Sequence, residues 1–378
     1  MAEPRRATMP SPCLPDADAT MPRQGRPAQR AAHPAFRSDR APRALTLLGL
    51  LLPLLALSCL GERADVVLYC AVDRSHSEPI VRAFEQATGL KVDFQTDIEA
   101  NKSVGHRRRL QEERNNPRCD VFWNNEVVQT VLLADAGLLA PYDSPSAVDI
   151  PEAYRDPGRF WTGIAARGRV LIVNTDAFPD PDAYPVDSAA FLDPALAGRM
   201  GMARPVTGTT AAHGAVWIET YGLDATFERL QAMRTNLVRF GPGNAHLMRL
   251  VRDGQLDFGF TDTDDLRAAL VQGFPVAQVV PDQGEGQLGL IVIPNTVSLV
   301  AGARHPEAAR RLIDFLLSHE VEAMLAAGES AQIPVRPEVA RPDHVLDLSR
   351  YHVAQVDWVA VGRRYAQAVE QLEAWFQQ

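Results

Sequence analysis

The sequence predicts an α/β protein built as two lobes that exchange strands. Short apolar runs typical of buried strands alternate with segments of helical length, a pattern that produces mostly parallel sheets flanked by helices. Two such sets follow one another, before and after a strong strand prediction at 169–175, and no linker long enough to separate independent domains lies between them. The 378 residues suffice for both lobes.

The first set begins with an apolar run at 65–70, which predicts a buried strand. Ser77, Glu78 and Pro79 predict the start of the next helix. Ser is a good N-cap residue, and the N–H that Pro lacks would have no partner within the helix in the first turn. Gly89 predicts the end of that helix. The other elements predicted in this set are strands at 90–94 and 119–123 and helices at 103–114 and 126–136.

The second set and the chain end follow the same pattern. The strands predicted after 169–175 lie at 200–203, 237–240, 256–260, 276–280 and 288–293. The helices are predicted at 209–221, 225–233, 244–252, 306–317, 320–326 and 362–376.

An uncharged run from Ala44 to Ser58 ends directly at Cys59 and follows Arg40 and Arg43. A basic start, a short apolar core and a small residue before the cut predict a secretory leader at 1–58, too short for a membrane span. Ala-Leu-Ser-Cys at 56–59 resembles a bacterial lipobox, so we expect a protein of the periplasm or cell surface, lipidated at Cys59. The alternative is an ordinary cleaved leader. Residues 1–40 are unlike a leader start and suggest a later start codon.

Charge and cysteine content exclude several classes. The net charge of −9 argues against nucleic acid as a partner and favours cationic ligands. After Cys59 only Cys70 and Cys119 remain, too few for a metal knuckle. An export compartment permits a disulfide between them, and two buried thiols are the alternative.

Polar residues follow the predicted strands, where ligands bind in open α/β sheets. The turn of Thr207, Gly208 and Thr209 leads into a helix and is a candidate anion site, because helix N-termini carry positive potential. Simple capping by Thr is the alternative. Arg167 and Arg169 could hold an oxyanion or form ordinary ion pairs.

An acidic turn follows the strand predicted at 256–260. Asp262, Asp264 and Asp265 could bind a metal or an ammonium group. The alternative is that one aspartate caps the next helix while the others are solvated. The dispersed histidines do not indicate a metal cluster.

Motifs of the common exported hydrolases, the phosphate-binding loop and the dinucleotide fingerprint are missing from the sequence. We therefore predict a binding protein without catalytic residues or a resident cofactor. An exported enzyme is the alternative from another class, and a sensory or adhesive lipoprotein is a third.

Residues 66–336 contain a series of short segments whose order along the chain resembles that in a periplasmic solute-binding protein of an ABC importer, close to the ferric iron-binding group. The segments that carry the resemblance are Val67-Leu68-Tyr69 with Asp73, Phe84-Glu85, Thr88-Gly89-Leu90-Lys91-Val92, Asp120-Val121-Phe122-Trp123, Ala136-Gly137-Leu138-Leu139-Ala140-Pro141, Trp161-Thr162-Gly163 with Arg167 and Arg169-Val170, Pro294-Asn295-Thr296, and His305-Pro306-Glu307-Ala308-Ala309.

The resemblance implies a two-lobed periplasmic-binding-protein fold of type II, with ligand trapped in the cleft between lobes when a hinge closes. It implies an importer permease as partner, and we expect a monomer. We expect lobe 1 to comprise 59–174 and 279–378, including the C-terminal helices, and lobe 2 to comprise 175–278.

The resemblance also implies site residues. Asp73 falls where ferric binders carry a ligand histidine, and Glu126, beside Asn125, lies within one position of their ligand glutamate. Thr207, Gly208 and Thr209 match the loop that holds the accompanying anion. Asn244 and Arg167 match positions near that anion, whereas Thr263 and Asp264 replace the pair of iron-binding tyrosines.

Two ligand classes remain open on this pattern. Ferric iron or another hard cation could be held by Asp73, Glu126, Asp262 and Asp264 beside an anion. Alternatively, the anion loop and Arg167 would take the phosphorus group of an aminophosphonate or phosphorylated sugar, and the acids its amine or hydroxyls.

Overall fold

One long strand is shared by two sheets and joins the two lobes of the protein. The computed structural model describes residues 64–96 and 102–378. The predicted leader and Cys59 lie outside the described residues. The strands follow one another in the order β2-β1-β3-β10-β5-β8-β6-β7, with β4 beside β10 and β9 beside β5.

The sheet of lobe 1 is parallel in its outer half. β1 pairs in parallel with β2 and β3, and β10 is antiparallel to β3, β4 and β5. Its strands are β1 (Val66–Cys70), β2 (Val92–Thr96), β3 (Val121–Asn124), β4 (Leu139–Ala140) and β10 (Val292–Val300).

The sheet of lobe 2 starts from the second half of β5 (Thr162–Asn174). β8 and β9 are antiparallel to β5, and β6 is parallel to β7 and β8. Its other strands are β6 (Met200–Ala203), β7 (Arg239–Gly241), β8 (Phe258–Asp262) and β9 (Val276–Val279).

Helices cover the faces of both sheets. They are α1 (Arg74–Thr88), α2 (Lys102–Glu112), α3 (Val128–Asp135), α4 (Gly208–Tyr221), α5 (Leu223–Thr235), α6 (Asn244–Arg252), α7 (Thr263–Val271), α8 (Pro306–Leu316), α9 (His319–Ala327) and α10 (Trp358–Gln377). Among these helices, none combines the length and hydrophobicity that a membrane crossing requires.

The first helix begins earlier than the sequence predicts. α1 starts at Arg74 with Asp73 in the N-cap position, and Ser77 lies inside its first turns. The Ser77 hydroxyl donates to the backbone oxygens of Val72 and Asp73, so it binds the preceding chain instead of capping the helix. The predicted end is confirmed, because Gly89 adopts the left-handed conformation with φ of 72°.

The central strands show where the apolar pattern misleads. The run at 169–175 is only the second half of β5, and the strand predicted at 288–293 is wrong because β10 begins at Val292. Both strands are buried throughout although they carry polar residues. Asn295, for example, donates to the backbone oxygens of Ile164 and Ala165, which satisfies its amide inside the core.

The two cysteines of the described region are buried thiols, and the alternative of a disulfide between them is wrong. Cys119 is a free thiol that donates to the backbone oxygen of Val121 at 3.0 Å. The thiol of Cys70 lies 3.7 Å from the backbone oxygen of Val72. Burial raises the pKa of Cys119 well above its ordinary value, so this thiol is unreactive.

Close backbone contact between β6 and β8 makes Gly259 intolerant of a side chain. A Cβ at Gly259 would lie 2.5 Å from the carbonyl oxygen of Gly201 on the paired strand. We expect Gly259→Ala to lower the free energy of unfolding by about 3 kcal/mol, because the backbone must shift. Gly243→Ala, where nothing lies within 4 Å, should cost under about 1 kcal/mol. Denaturant unfolding measures the free energy of unfolding of each variant. Equal losses in Gly259→Ala and Gly243→Ala would show that the contact with Gly201 does not restrict residue 259.

Candidate functional site

Three helix starts of lobe 2 meet at the carboxylate of Asp262. Asp262 is the last residue of β8 and stands in the N-cap position of α7. Its Oδ2 accepts hydrogen bonds from the Thr209 hydroxyl of α4 at 2.5 Å and from the Asn244 amide of α6 at 3.0 Å. The positive ends of three helices therefore surround one buried negative charge.

A buried arginine on the shared strand completes this arrangement. Arg169, which is 1% exposed, donates from Nη1 to Asp262 Oδ1 at 2.5 Å. Its Nε faces Nδ1 of the buried His213 at 3.4 Å. Burial and the nearby Arg169 hold the pKa of His213 well below its ordinary value, so the ring is neutral and can accept. Within the described ranges, Arg169 Nη2 has no hydrogen-bond partner.

A second ion pair lies two residues earlier on the same face of β5. Arg167 Nε is 2.8 Å from Asp264 Oδ2, and Arg167 Nη1 donates to the backbone oxygen of Asn125 in lobe 1 at 3.1 Å. Because side chains alternate along a strand, Arg167 and Arg169 point the same way. The shared strand thus delivers two guanidinium groups to one site.

The acidic turn forms a compact cluster. Carboxylate oxygens of Asp262, Asp264 and Asp265 all lie within 4.8 Å of one another. Burial, and secondarily the charge of Asp264, raises the pKa of Asp265 well above its ordinary value, and burial also raises the pKa of Asp264. Three carboxyl groups face two guanidinium groups, so the cluster has one carboxyl group more than its arginines neutralise.

A cleft of about 620 Å³ opens on the Asp264 side of the cluster. Asp73 at the start of α1 lines this cleft together with Asp264 and Asp265 of α7. The other lining residues are Ser75, His76, Arg267, Ala268, Val271, Gln272, Ala327, Gly328, Glu329, Ser330 and His344. The structure therefore brings Asp73 and Asp264 to one cavity.

The predicted anion loop lies on the Asp262 side. Thr207 has extended backbone angles at the N-cap of α4 and makes no capping hydrogen bond with its side chain, so the alternative of capping by this residue is wrong. Gly208 adopts φ of +61° with open space where a Cβ would stand. The backbone N–H groups of this turn are thus not covered by a Thr207 cap.

The alternative for the acidic turn is also wrong. Asp262 occupies the N-cap position of α7 but makes no capping bond there, because its carboxylate is bound by Arg169, Thr209 and Asn244. Thr263 is one of the two residues that replace the tyrosine pair of ferric binders. Its hydroxyl accepts a hydrogen bond from the Gly168 N–H at 3.2 Å, which links α7 to β5.

Glu126 lies apart from the carboxylate cluster, which among the described residues contains only the three aspartates. Its oxygens accept the backbone N–H groups of Val128 at 2.7 Å and Gln129 at 3.0 Å, so this side chain caps α3. Burial raises its pKa to about 7. The neighbouring Asn125 contacts Arg167 through its backbone and accepts from the Ser103 hydroxyl through its side chain.

The sequence indicated Arg167, Arg169 and Asp265 as candidate residues, but it gave Arg169 and Asp265 no specific role in the site and did not indicate His213. The spacing of two residues between Arg167 and Arg169 in a strand was the signal that both side chains point into one site. His213 carried no sequence signal, because its role depends on packing edge-on against Trp217 and Phe260 at ring distances of 4.5 and 4.8 Å.

Comparisons with known proteins place the chain among binding proteins. A family model described as bacterial extracellular solute-binding protein matches residues 79–349. The Fe(3+)-binding periplasmic protein of Serratia marcescens is 29% identical over 208 residues, covering 54% of this chain and 60% of that protein. A putative 2-aminoethylphosphonate-binding periplasmic protein of Salmonella typhi is 26% identical over 265 residues, covering 69% and 74%.

Solved structures share the fold. Iron-bound HitA from Pseudomonas aeruginosa aligns with a TM-score of 0.74 at 19% identity, covering 82% of this chain and 99% of that chain. The periplasmic binding protein AfuA from Actinobacillus pleuropneumoniae, with exogenous fructose-6-phosphate bound, aligns with a TM-score of 0.70 at 22% identity and the same coverage. The predicted two-lobed α/β fold of type II is thereby confirmed.

Removing the charge of Asp262 should be costly, because Arg169 would remain buried without its partner. We expect Asp262→Asn to lower the free energy of unfolding by about 3 kcal/mol or more. Asp253→Asn removes an ion pair with Arg252 in which the aspartate is 40% exposed, and should cost under about 1 kcal/mol. Denaturant unfolding compares the two variants. A change in the free energy of unfolding near zero for Asp262→Asn would show that the pair of Asp262 and Arg169 does not stabilise the fold.

The buried Glu126 should make stability depend on pH. Its pKa is about 7 in the folded protein against an ordinary 4.5, so folding favours its protonated form. Stability from this group is therefore greatest below pH 4.5 and falls as pH rises towards 7. Relative to wild type, Glu126→Gln should gain on the order of 3 kcal/mol between pH 4 and pH 8. Denaturant unfolding of both proteins at pH 4 and pH 8 measures this gain. A difference in the free energy of unfolding that is the same at both pH values would contradict the raised pKa of Glu126.

Proposed function

Since the chain belongs to the bacterial extracellular solute-binding protein family, we propose that it is the receptor of an ABC importer for a small phosphonate or phosphate that also carries an amine or hydroxyl groups. The importer and the ligand class are the proposed part. The 2-aminoethylphosphonate named for the Salmonella typhi relative supports this ligand class.

The pairing of the aspartates with buried arginines is the observation that carries this proposal. Asp262 is bound by Arg169 at 2.5 Å, and Asp264 lies 2.8 Å from Arg167. A bare ferric ion would have to displace both guanidinium groups, and each would then remain buried without a counter-charge. An organic anion does not have to displace either arginine from its aspartate, because it can bind guanidinium N–H groups that the aspartates leave unused, such as Arg169 Nη2.

The two sides of the site suit the two ends of such a ligand. The first turn of α4 at Thr207 and Gly208, together with Arg167, offers N–H and guanidinium donors to a phosphorus group. Asp73 and Asp265 line the cleft and suit an amine or hydroxyls. The cleft volume of about 620 Å³ is typical of sites for small organic molecules.

Capture would proceed by hinge closure about the shared strand β5. Asp73 and Asn125 belong to lobe 1, whereas Gly208, Asn244 and Asp264 belong to lobe 2. The described part of lobe 1 would move against lobe 2, bringing these groups around the ligand. The strand pairing supports this proposal, because β5 pairs with β10 on one side and with β8 and β9 on the other.

A ferric-ion receptor is the second candidate. The three carboxyl groups within 4.8 Å are hard oxygen ligands of the kind that ferric ion prefers. The name of the Serratia marcescens relative also supports it. This candidate requires at least one arginine to release its aspartate, and burial, which raises the pKa of Asp265, opposes ionisation of the third carboxyl group.

Delivery to the importer fits an exported protein held near the membrane. We propose that the leader directs export and that Cys59 carries a lipid anchor, as its lipobox-like sequence suggests. A permease would then receive the ligand from the tethered receptor. The exported-enzyme alternative predicts turnover of the ligand by the isolated protein.

Calorimetric titration with 2-aminoethylphosphonate, inorganic phosphate and ferric citrate tests the ligand class. We expect the aminophosphonate to bind with the highest affinity. Arg167→Gln should weaken its binding by about 10- to 100-fold, because a charged hydrogen bond is lost. Arg239→Gln changes an exposed arginine of lobe 2 and should leave the affinity unchanged.

Thermal unfolding of both variants shows whether they remain folded at the titration temperature. Binding of ferric citrate with no response to either phosphorus compound would favour the second candidate. Equal losses in the Arg167 and Arg239 variants would remove Arg167 from the site.

A further inference from the structure

The C-terminal helix α10 packs against helices of both lobes. On the lobe 1 side, Gly362 lies so close to α3 that a Cβ there would be 2.7 Å from Cβ of Val131. Arg363 holds both carboxylate oxygens of Asp135 at 2.9 and 2.8 Å. Because the bond is bidentate and the helices are in close contact, α10 has a defined position on lobe 1.

The opposite side of α10 packs against lobe 2. Arg364 pairs with Glu219 of α4 at 2.9 Å. Near the end of the helix, the guanidinium of Arg234 lies 3.5 Å from the ring centroid of Trp375. One buried apolar cluster combines residues of α3, α4 and α10: Val128, Val131, Ala211, Ala212, Ala215, Val216, Trp358, Val361 and Tyr365. Helix α10 therefore bridges the two lobes.

Tyr365 connects this bridging helix to the anion loop. It is 3% exposed, and its hydroxyl donates to the backbone oxygen of Val206 at 2.6 Å. Val206 directly precedes Thr207 and Gly208. Burial, and secondarily the nearby Glu126, raises the pKa of Tyr365, so the hydroxyl stays protonated and remains a donor.

Several other contacts of this loop come from lobe 2 itself. Pro205 packs against Gly214 of α4, where a Cβ would lie 2.7 Å from Cβ of Pro205. The Val206 N–H donates to the backbone oxygen of Arg204 at 2.8 Å, and the Arg204 N–H donates to Gly241 at 2.9 Å. These contacts move with lobe 2, whereas the Tyr365 bond comes from a helix that is also fixed to lobe 1.

We propose that Tyr365 is a positioning residue that fixes the backbone of the anion loop and makes its position depend on the angle between the lobes. Tyr365 acts through Val206 and does not touch the ligand. A rotation of lobe 2 relative to α10 changes the Val206 contact and reorients the N–H groups of the first turn of α4. The consequence for affinity rests on the proposed function, but the positioning of the loop does not.

Hydrogen–deuterium exchange on the ligand-free protein tests the positioning directly. Tyr365→Phe keeps the packing and removes one hydrogen bond, so the amides of 204–212 should exchange about three- to tenfold faster. Tyr142→Phe is the matched control, since it removes a tyrosine hydroxyl that binds Asp314 within lobe 1. This control should leave exchange at 204–212 unchanged.

Titration with 2-aminoethylphosphonate adds a second measurement. We expect Tyr365→Phe to weaken binding of this compound by about three- to tenfold, as for amide exchange, and Tyr142→Phe to leave its affinity unchanged. Unaltered exchange at 204–212 in Tyr365→Phe, or an equal rise in every peptide, would overturn the proposal. If wild type binds no phosphorus compound, the proposed function fails, and the exchange result still decides the role of Tyr365.

Discussion

The buried pair of Asp262 and Arg169 organises the ligand-facing side of lobe 2. Asp262 ends β8, Arg169 lies on the neighbouring β5, and the same carboxylate binds the first turns of α4 and α6. A buried pair of this kind is stable only when its remaining polar atoms are satisfied. The starts of α4 and α6 supply those hydrogen bonds, and Asp262 itself stands at the start of α7, so one charge fixes the relative positions of three helix starts.

This constraint determines what the site can accept. A carboxylate that already neutralises a guanidinium group and three helix ends is a poor ligand for a metal ion, because the metal would release a buried arginine. The second pair of Arg167 and Asp264 adds the same cost. Within the described part of the chain, Asp265 has no arginine of its own, and it lines the cleft together with Asp73. These two carboxyl groups can bind a positively charged or hydroxyl-rich part of a ligand. The geometry thus favours a ligand with separate anionic and cationic ends over a single ion.

Sequence pattern predicted most helices and the outer strands, because their apolar spacing and their glycine ends are local features. It failed at β5 and β10, where polar side chains such as Asn295 are satisfied inside the core by partners distant in sequence. The acidic turn and the anion loop were predicted from their positions after strands. Glu126 was selected as a ligand, yet its carboxylate caps α3, and only the folded structure reveals that backbone contact. His213 and Tyr365 likewise depend on long-range packing.

Elemental and mass-spectrometric analysis of the protein purified without denaturation tests the central claim most directly. The arginine-paired carboxylates predict a retained phosphorus-containing small molecule at up to one per chain, with iron far below one per chain. Iron at one per chain, retained through purification, would contradict the claim that the arginine pairs exclude a metal from this site.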